Sequence, residues 1–461
     1  MSRAYGTGDE RSRHHVRDGD VLLIAAATVA GVLLGPGGLV AATLAVMRRR
    51  VGVALLCLIT ALAGWWAGAH AWAGAVPRHL GPFEGWARVA TDPVTQGGAT
   101  RLTLEVQGER FDAWVYGGRG AALLERQAGE EVRVRGERVP STGDVRRARV
   151  RHVVGRFRLE WLADVRPGPP LARAGNRART ALRHSAEATM APAEAALFTG
   201  LVIGDDSRQP AWMVDQFRAA GLSHLTAVSG QNVAFLLAAA SPLLRRLRPW
   251  PRWAATVGLV GWFMSVTRFE PSVLRAGAMA VLASTAFVTG RDARPVRLVG
   301  LAVTVLVLVD PMLVWSVGFW LSVGATLGVC VVAPWWVARL PGPMWLRLSL
   351  GVTLGAQVGV ALPSLLVFGR LPLLAPVANL AAVPVAGGVM LYGLPAGLAA
   401  AALPGPLARV AMVPAVIGTR WTATVAAVAA AVTPNGLWAV LGWLVLAVAV
   451  LVLVRRTRVP S

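Results

Sequence analysis

The chain has 461 residues, 55% of them apolar and 15% charged, with a mean hydropathy of +0.54. A soluble globular protein usually carries about 25% charged residues, whereas apolar runs of spanning length recur here from Val21 to Val454, which excludes a soluble enzyme and implies a polytopic membrane protein. The 46 basic residues, all arginine, outnumber 24 acidic ones, reflecting either a compositional bias or the fit of guanidinium forks to phosphates.

Residues 1–20 read as a disordered basic tail, and residues 21–76 as N-terminal transmembrane helices. The run Val21 to Met47 is interrupted at Gly35-Pro36-Gly37-Gly38 and closed by Arg48-Arg49-Arg50. It is either one span or a hairpin of two short segments; arginines at both ends favour the hairpin, since such flanks stay cytoplasmic. A cleavable signal peptide is not expected, because the run is too long and lacks a cleavage site. Val51 to Trp72 then leads outward, with Trp65, Trp66 and Trp72 suited to an interfacial belt.

Hydropathy falls across residues 77–166. Alternating side chains predict strands at Trp86–Val94, Arg101–Val106, Phe111–Tyr116, Glu131–Val139 and Val150–Trp161, with Gly-containing turns between them. Five strands in so short a stretch predict a small extracytoplasmic Greek-key barrel of the OB type. Between Arg133 and Arg158 lie nine arginines and two acids, Glu137 and Asp144. Arg133, Arg135, Arg147, Arg149, Arg151, Arg156 and Arg158, with Phe157 and Trp161 nearby, form either a groove for a polyanion or a solvated strand face.

Residues 167–221 read as amphipathic and short helices at the membrane surface. In Leu171–Met190 the residues Arg173, Arg177 and His184 fall near one face, which fits a helix along a headgroup surface. Short helices at Ala193–Ile203 and Trp212–Ala220 are joined by Gly204-Asp205-Asp206-Ser207. Residues 222–454 read as a helical channel domain, and 455–461 as a cytoplasmic tail. Spans are expected at Leu222–Leu243, Trp253–Thr267, Ser272–Thr289, Val296–Val309, Met312–Val332 and Leu346–Phe368, with two or three more before Leu437–Val454. Arginine clusters at 245/246/248/252, 291/294/297 and 455/456/458 fall on one side of this weave, the cytoplasm.

Polar residues inside spans mark candidate sites. Ser223, His224, Thr226, Ser229, Gln231 and Asn232 crowd the head of one span around Gly230, which points to a lined cavity or to hydrogen-bonded helix packing. Glu270 and Arg275 are near enough to form a structural ion pair. Gln357, Arg370 and Asn379 sit among Pro363, Pro372, Pro376 and Pro384, whose freed carbonyls again suggest a cavity. Beyond Asp310 no acidic residue occurs, which weakens a proton-coupled carrier. Cys57 and Cys330 lie far apart in apolar runs, so no disulfide, metal site or cofactor is expected. No Walker-type loop is present.

Four ordered segments resemble the ComEC competence family of DNA-uptake channel proteins. They are Gly204-Asp205 to Phe217…Gly221-Leu-Ser-His224…Ser229-Gly230, Pro271-Ser272…Arg275-Ala276…Met279, Asp310-Pro311…Gly318-Phe319-Trp-Leu321-Ser322…Ala325, and Gln357…Pro363…Phe368-Gly369…Asn379-Leu380…Val383-Pro384. The resemblance implies passage of single-stranded DNA across the cytoplasmic membrane during natural transformation. The barrel would meet the DNA, and His224, Ser229, Gln231, Asn232, Glu270, Arg275, Gln357 and Asn379 would line the path. It also implies an extracytoplasmic DNA receptor, a cytoplasmic ATPase or strand-binding protein and, because no His-x-His-x-Asp-His cluster of the family's metallo-β-lactamase-like domain occurs here, a separate nuclease. The family often has histidine where Asn232 stands. Two other classes stay open: a small-molecule or lipid transporter, and an intramembrane hydrolase using Ser229 with His224, for which no third orienting group is evident. The sequence sets no oligomeric state.

Overall fold

The computed structural model describes residues 17–35, 51–96, 98–117, 120, 123–226, 230–291, 294–368, 373–434, 441–442 and 445. Six strands form one sheet: β1 (Gly81–Val89), β2 (Val94–Gln96), β3 (Ala99–Val106), β4 (Glu109–Tyr116), β5 (Glu131–Pro140) and β6 (Val153–Arg166). The order β1-β5-β6-β4-β3 returns from β3 to β1, so five strands close a barrel, while β2 pairs only with β3. Neighbours are antiparallel except β4 and β6, which run parallel.

Period-two alternation builds this barrel. On β5, Val132 and Val134 point inward while Arg133 and Arg135 face solvent. Leu102, Leu104, Phe111 and Phe157 are almost wholly buried with them. Each such side chain contributes about 1.5–3 kcal/mol by leaving water. Gln107 and Gly108 both take positive φ, the geometry of a tight hairpin turn between β3 and β4.

The first and last strands differ from expectation, and the short β2 was not expected. The first strand runs Gly81–Val89 rather than Trp86–Val94. The last starts at Val153 rather than Val150, because Val145–Val150 forms a helix whose first turn is capped by Asp144, accepting the Arg147 N–H at 2.9 Å.

The helices, in chain order, are α1 (Asp18–Leu34), α2 (Val51–Ala73), α3 (Val145–Val150), α4 (Pro170–Thr189), α5 (Pro192–Ile203), α6 (Ala211–Ala219), α7 (Ser223–Thr226), α8 (Gly230–Leu244), α9 (Pro249–Val266) and α10 (Pro271–Val288). They continue as α11 (Pro295–Val309), α12 (Val317–Leu327), α13 (Ala333–Arg339), α14 (Met344–Phe368), α15 (Ala375–Ala400) and α16 (Gly405–Val432). Among the described residues six helices are long and apolar enough to cross a membrane: Val51–Ala73, Pro271–Val288, Val317–Arg339, Met344–Val367, Ala375–Ala400 and Gly405–Val432. The chain is a multi-pass helical membrane protein carrying a small β-domain.

The expected span Met312–Val332 opens as a 3-10 turn, Pro311–Trp315, and continues through a π-helical turn, Gly328–Val332, to Arg339. Here small residues let backbones touch. A Cβ at Gly359 would lie 2.0 Å from the Gly324 carbonyl oxygen, and one at Gly328 would lie 2.0 Å from that of Gly355. The first helix ends at Leu34 with Gly35 at φ +60°, at the expected break. The second arm of the hairpin, most of the closing span Leu437–Val454 and the tail 455–461 fall outside the described residues, as do residues 1–16.

The barrel sits on one end of the bundle. His152 lies 3.1 Å from Asp310 at the end of α11, and Asp92 pairs with Arg268 in the turn between α9 and α10. The arginines at 245–252 and at 294 and 297 therefore lie at the far end, where Arg297 holds Asp18 at 2.6 Å.

Candidate functional site

The arginine run of the barrel divides between two faces. On the β1–β5–β6 side, Arg133 and Arg135 flank Glu84 at 3.6 and 2.7 Å, and Arg158 pairs with Glu137 at 3.2 Å. These three arginines share two carboxylates and are solvated. Arg147, Arg151 and Arg156 face elsewhere. With Arg101, Trp114 and Thr142 they line a cavity of about 190 Å³.

Asp112 organises this cavity, accepting from Thr103 at 2.8 Å, Arg151 at 2.7 Å and Arg101 at 3.1 Å. The Arg101 guanidinium lies 5.5 Å from the Trp114 ring centroid. Arg147 and Arg156 have no carboxylate partner among the described residues. The arrangement offers free cations beside an aromatic face. Arg149 lies half-buried on α3 and does not line the cavity. Arg101 and Trp114 were missed because they lie outside the run; their direct pairing across β3 and β4 is the signal that would have found them.

A second cluster joins barrel and bundle. Arg179, almost fully buried on α4, reaches Asp92 at 3.0 Å, Asp205 at 3.3 Å and the Val266 carbonyl at 2.9 Å. Arg268 pairs with Asp92 at 2.7 Å and donates to Asn176 Oδ1 at 2.7 Å; Arg183 grips Asp205 from the other side. Burial alone would raise the Asp205 pKa, but Arg179 and Arg183 outweigh it and hold the carboxyl down to about 2. Asp92 is likewise lowered, against its burial, by Arg179 and Arg268. The helix α4 is thus more than a surface helix. Arg173, Arg177 and His184 are exposed as expected, while Arg179, beside the buried Ala178 and Leu182, locks the opposite face.

Within the bundle, Arg275 is buried on the first turns of α10. Its Nε donates to Ser322 Oγ on α12 at 2.8 Å and its Nη1 to Met279 Sδ at 3.0 Å. A Cβ at Gly230 would lie 2.8 Å from Arg275 Nη2, so α8 packs its glycine onto the guanidinium. Among the described residues no carboxylate pairs with Arg275. The expected pair with Glu270 does not form. Glu270 precedes the helix and is exposed, and its pKa is raised by the protein crowding it and by the Asp206 carboxylate.

Asn232 is buried and its Nδ2 donates to the Leu201 carbonyl at 3.2 Å, tying α8 to α5. Its neighbour Gln231 is exposed, as is His224 on α7. Asn379 is buried on α15, its Oδ1 without a partner among the described residues. Gln357 lies half-buried on α14. Ser229 and Arg370 lie outside the described residues. The structure therefore brings Gly230, Arg275, Met279 and Ser322 together; of these, Met279 and Ser322 had been noted only within motifs. Among the described residues no three His, Cys, Asp or Glu side chains gather as a metal-binding group.

Three of the four sequence segments quoted above thus converge on one contact, Gly230 from the first, Arg275 from the second and Ser322 from the third. Residues 201–457, more than half of the chain, match the Competence family, described as competence protein. The chain belongs to the Competence family. Membership gives it a role in DNA uptake at the family level. No curated protein and no solved structure matches the chain.

Proposed function

We propose that this Competence-family chain is a channel subunit, without enzymatic activity, that passes single-stranded DNA across the bacterial cytoplasmic membrane during natural transformation. The observation that carries the reading is Arg275, a buried guanidinium in a spanning helix with no carboxylate partner among the described residues. A buried guanidinium without a counter-charge, one turn inside the start of a span, is costly and points to function. A passing phosphate supplies the missing counter-charge. Gln231 and Asn232 follow Gly230 on α8, and Glu270, which faces the Asp206 carboxylate, precedes the helix that carries Arg275.

In this reading the barrel is extracytoplasmic and of the OB type, which its closed strand order with one parallel pair supports. The strand lies in the Arg101–Trp114–Arg147–Arg151–Arg156 groove, where phosphates meet free guanidiniums and a base meets Trp114. Arg133, Arg135 and Arg158 serve the solvated face. An outside DNA receptor and an inside ATPase work with it in this reading.

The test is deletion of the gene in its host, scoring labelled DNA at the surface and in the cytoplasm. Loss of internalisation with surface binding intact, restored by the gene, is the expected result. Unchanged internalisation in the absence of any paralogue overturns the reading.

A further inference from the structure

We propose that the junction between barrel and bundle holds an anionic phospholipid headgroup. Where β6 leaves the barrel and turns into α4, a cavity of about 460 Å³ is lined by Glu130, Pro167, Gly168, Arg173, Asn176 and Arg177, among others. Arg173 and Arg177 stand one helical turn apart, both exposed, and neither has a carboxylate partner among the described residues. Every other charged pair at this junction is already satisfied.

The depth of the cavity follows from its wall. Asn176 accepts from Arg268, three residues before the spanning helix Pro271–Val288 begins. The same stretch of α4 is fixed to the last turn of α9, where Ser265 donates to the Leu171 carbonyl and Arg179 to that of Val266. Through Arg268 the cavity wall is tied to the segment just ahead of a spanning helix, which sets the cavity at the barrel-side end of that span, where the headgroup layer lies. Leu171 beside it is exposed, an apolar side chain at the depth where acyl chains start.

Charge selects the occupant. Two guanidiniums against the single Glu130 carboxylate leave one positive charge, which matches one phosphodiester. A DNA strand carries a phosphate at every step, and Glu130 would repel the next one. The groove assigned to DNA also lies elsewhere, toward the start of β6. The cavity lies just past its end, 14 residues and roughly 40 Å along the strand.

The experiment uses the full chain, purified from mixed phosphatidylglycerol–phosphatidylcholine nanodiscs, with retained lipid counted by native mass spectrometry. Wild type keeps phosphatidylglycerol in preference to phosphatidylcholine. The R173A/R177A variant retains about tenfold less, the R173K/R177K variant keeps it, and E130Q keeps more. Matching elution and melting profiles establish that each variant is folded. Equal retention by R173A/R177A and wild type overturns the proposal, as does unchanged retention by E130Q should the double variant not fold. Displacement of the lipid by a thymidine oligonucleotide also overturns it, in favour of a nucleic-acid site. Lipid retention is read without any DNA transport, so its failure is separate from failure of the channel reading.

Discussion

Asp205→Asn removes the carboxylate that Arg179 and Arg183 grip between α4 and the loop after α5. Its pKa is about 2 in the folded chain against an ordinary value of 3.8. At about 1.4 kcal/mol per unit, the depression corresponds to about 2–3 kcal/mol of stability. Because the folded value is the lower one, this contribution is complete above about pH 4 and is lost as pH falls toward 2. The assay is thermal unfolding of wild type and D205N in detergent from pH 7 to pH 3. D205N melts several degrees lower at pH 7, and the gap narrows steadily below pH 4. Acids remote from this cluster titrate in both proteins and cancel in the difference, whereas Asp92, which shares Arg179, and Asp206, which faces Asp205, are coupled to the substitution. A gap that stays constant from pH 7 to pH 3, or is absent at pH 7, refutes the reasoning that this pair of arginines holds Asp205 charged.

Three further outcomes are expected. In oligonucleotide binding measured by anisotropy, R147A and R156A each reduce the slope of log affinity against log salt by about 0.7, and W114A weakens binding by about 1–3 kcal/mol; R133A and R135A, whose side chains are held by Glu84, leave both unchanged. D310N, which breaks an exposed His152 pair, lowers stability by less than about 1 kcal/mol in thermal melts; D92N, which strips a half-buried carboxylate from the buried Arg179 and from Arg268, lowers it by more, about 1.5–3 kcal/mol. G359V drives α12 and α14 apart and lowers the melting temperature more than V358A on the exposed side of the same helix, because a Cβ at 359 meets the Gly324 carbonyl.

Much of the architecture was legible because it follows from hydropathy and alternation. The apolar runs locate the spanning helices Val51–Ala73, Pro271–Val288, Val317–Arg339 and Met344–Val367. Those expected to span at Leu222–Leu243, Trp253–Thr267 and Val296–Val309 instead form α7 with α8, α9 and α11, which are not among the six helices long and apolar enough to cross. The alternation of Val132 and Val134 with Arg133 and Arg135 gives a strand outright. Boundaries failed where a single hydrogen bond decides them: Asp144 caps a helix in what read as a turn. At the site, charge was read along the chain rather than across it. The run from Arg133 to Arg158 looked like one stripe, yet a closed barrel sends its members to two faces, and the partners that distinguish them, Glu84 and Asp112, come from other strands. The cluster of Arg179, Asp92, Arg268 and Asp205 was invisible for the same reason, since its members are up to 176 residues apart. Glu270 and Arg275 show the converse: proximity in sequence suggested a pair, but Arg275 turns inward to Ser322 while Glu270 stays outside the helix.

The most direct test of the channel reading is photocrosslinking during uptake, with a photoreactive residue at Gln231, on the first turn of α8 beside Arg275's neighbour Gly230, or at the exposed Val410 on α16 as control. DNA in transit forms adducts at position 231 and not at 410. Continued uptake with no more adduct at 231 than at 410 contradicts passage along this route.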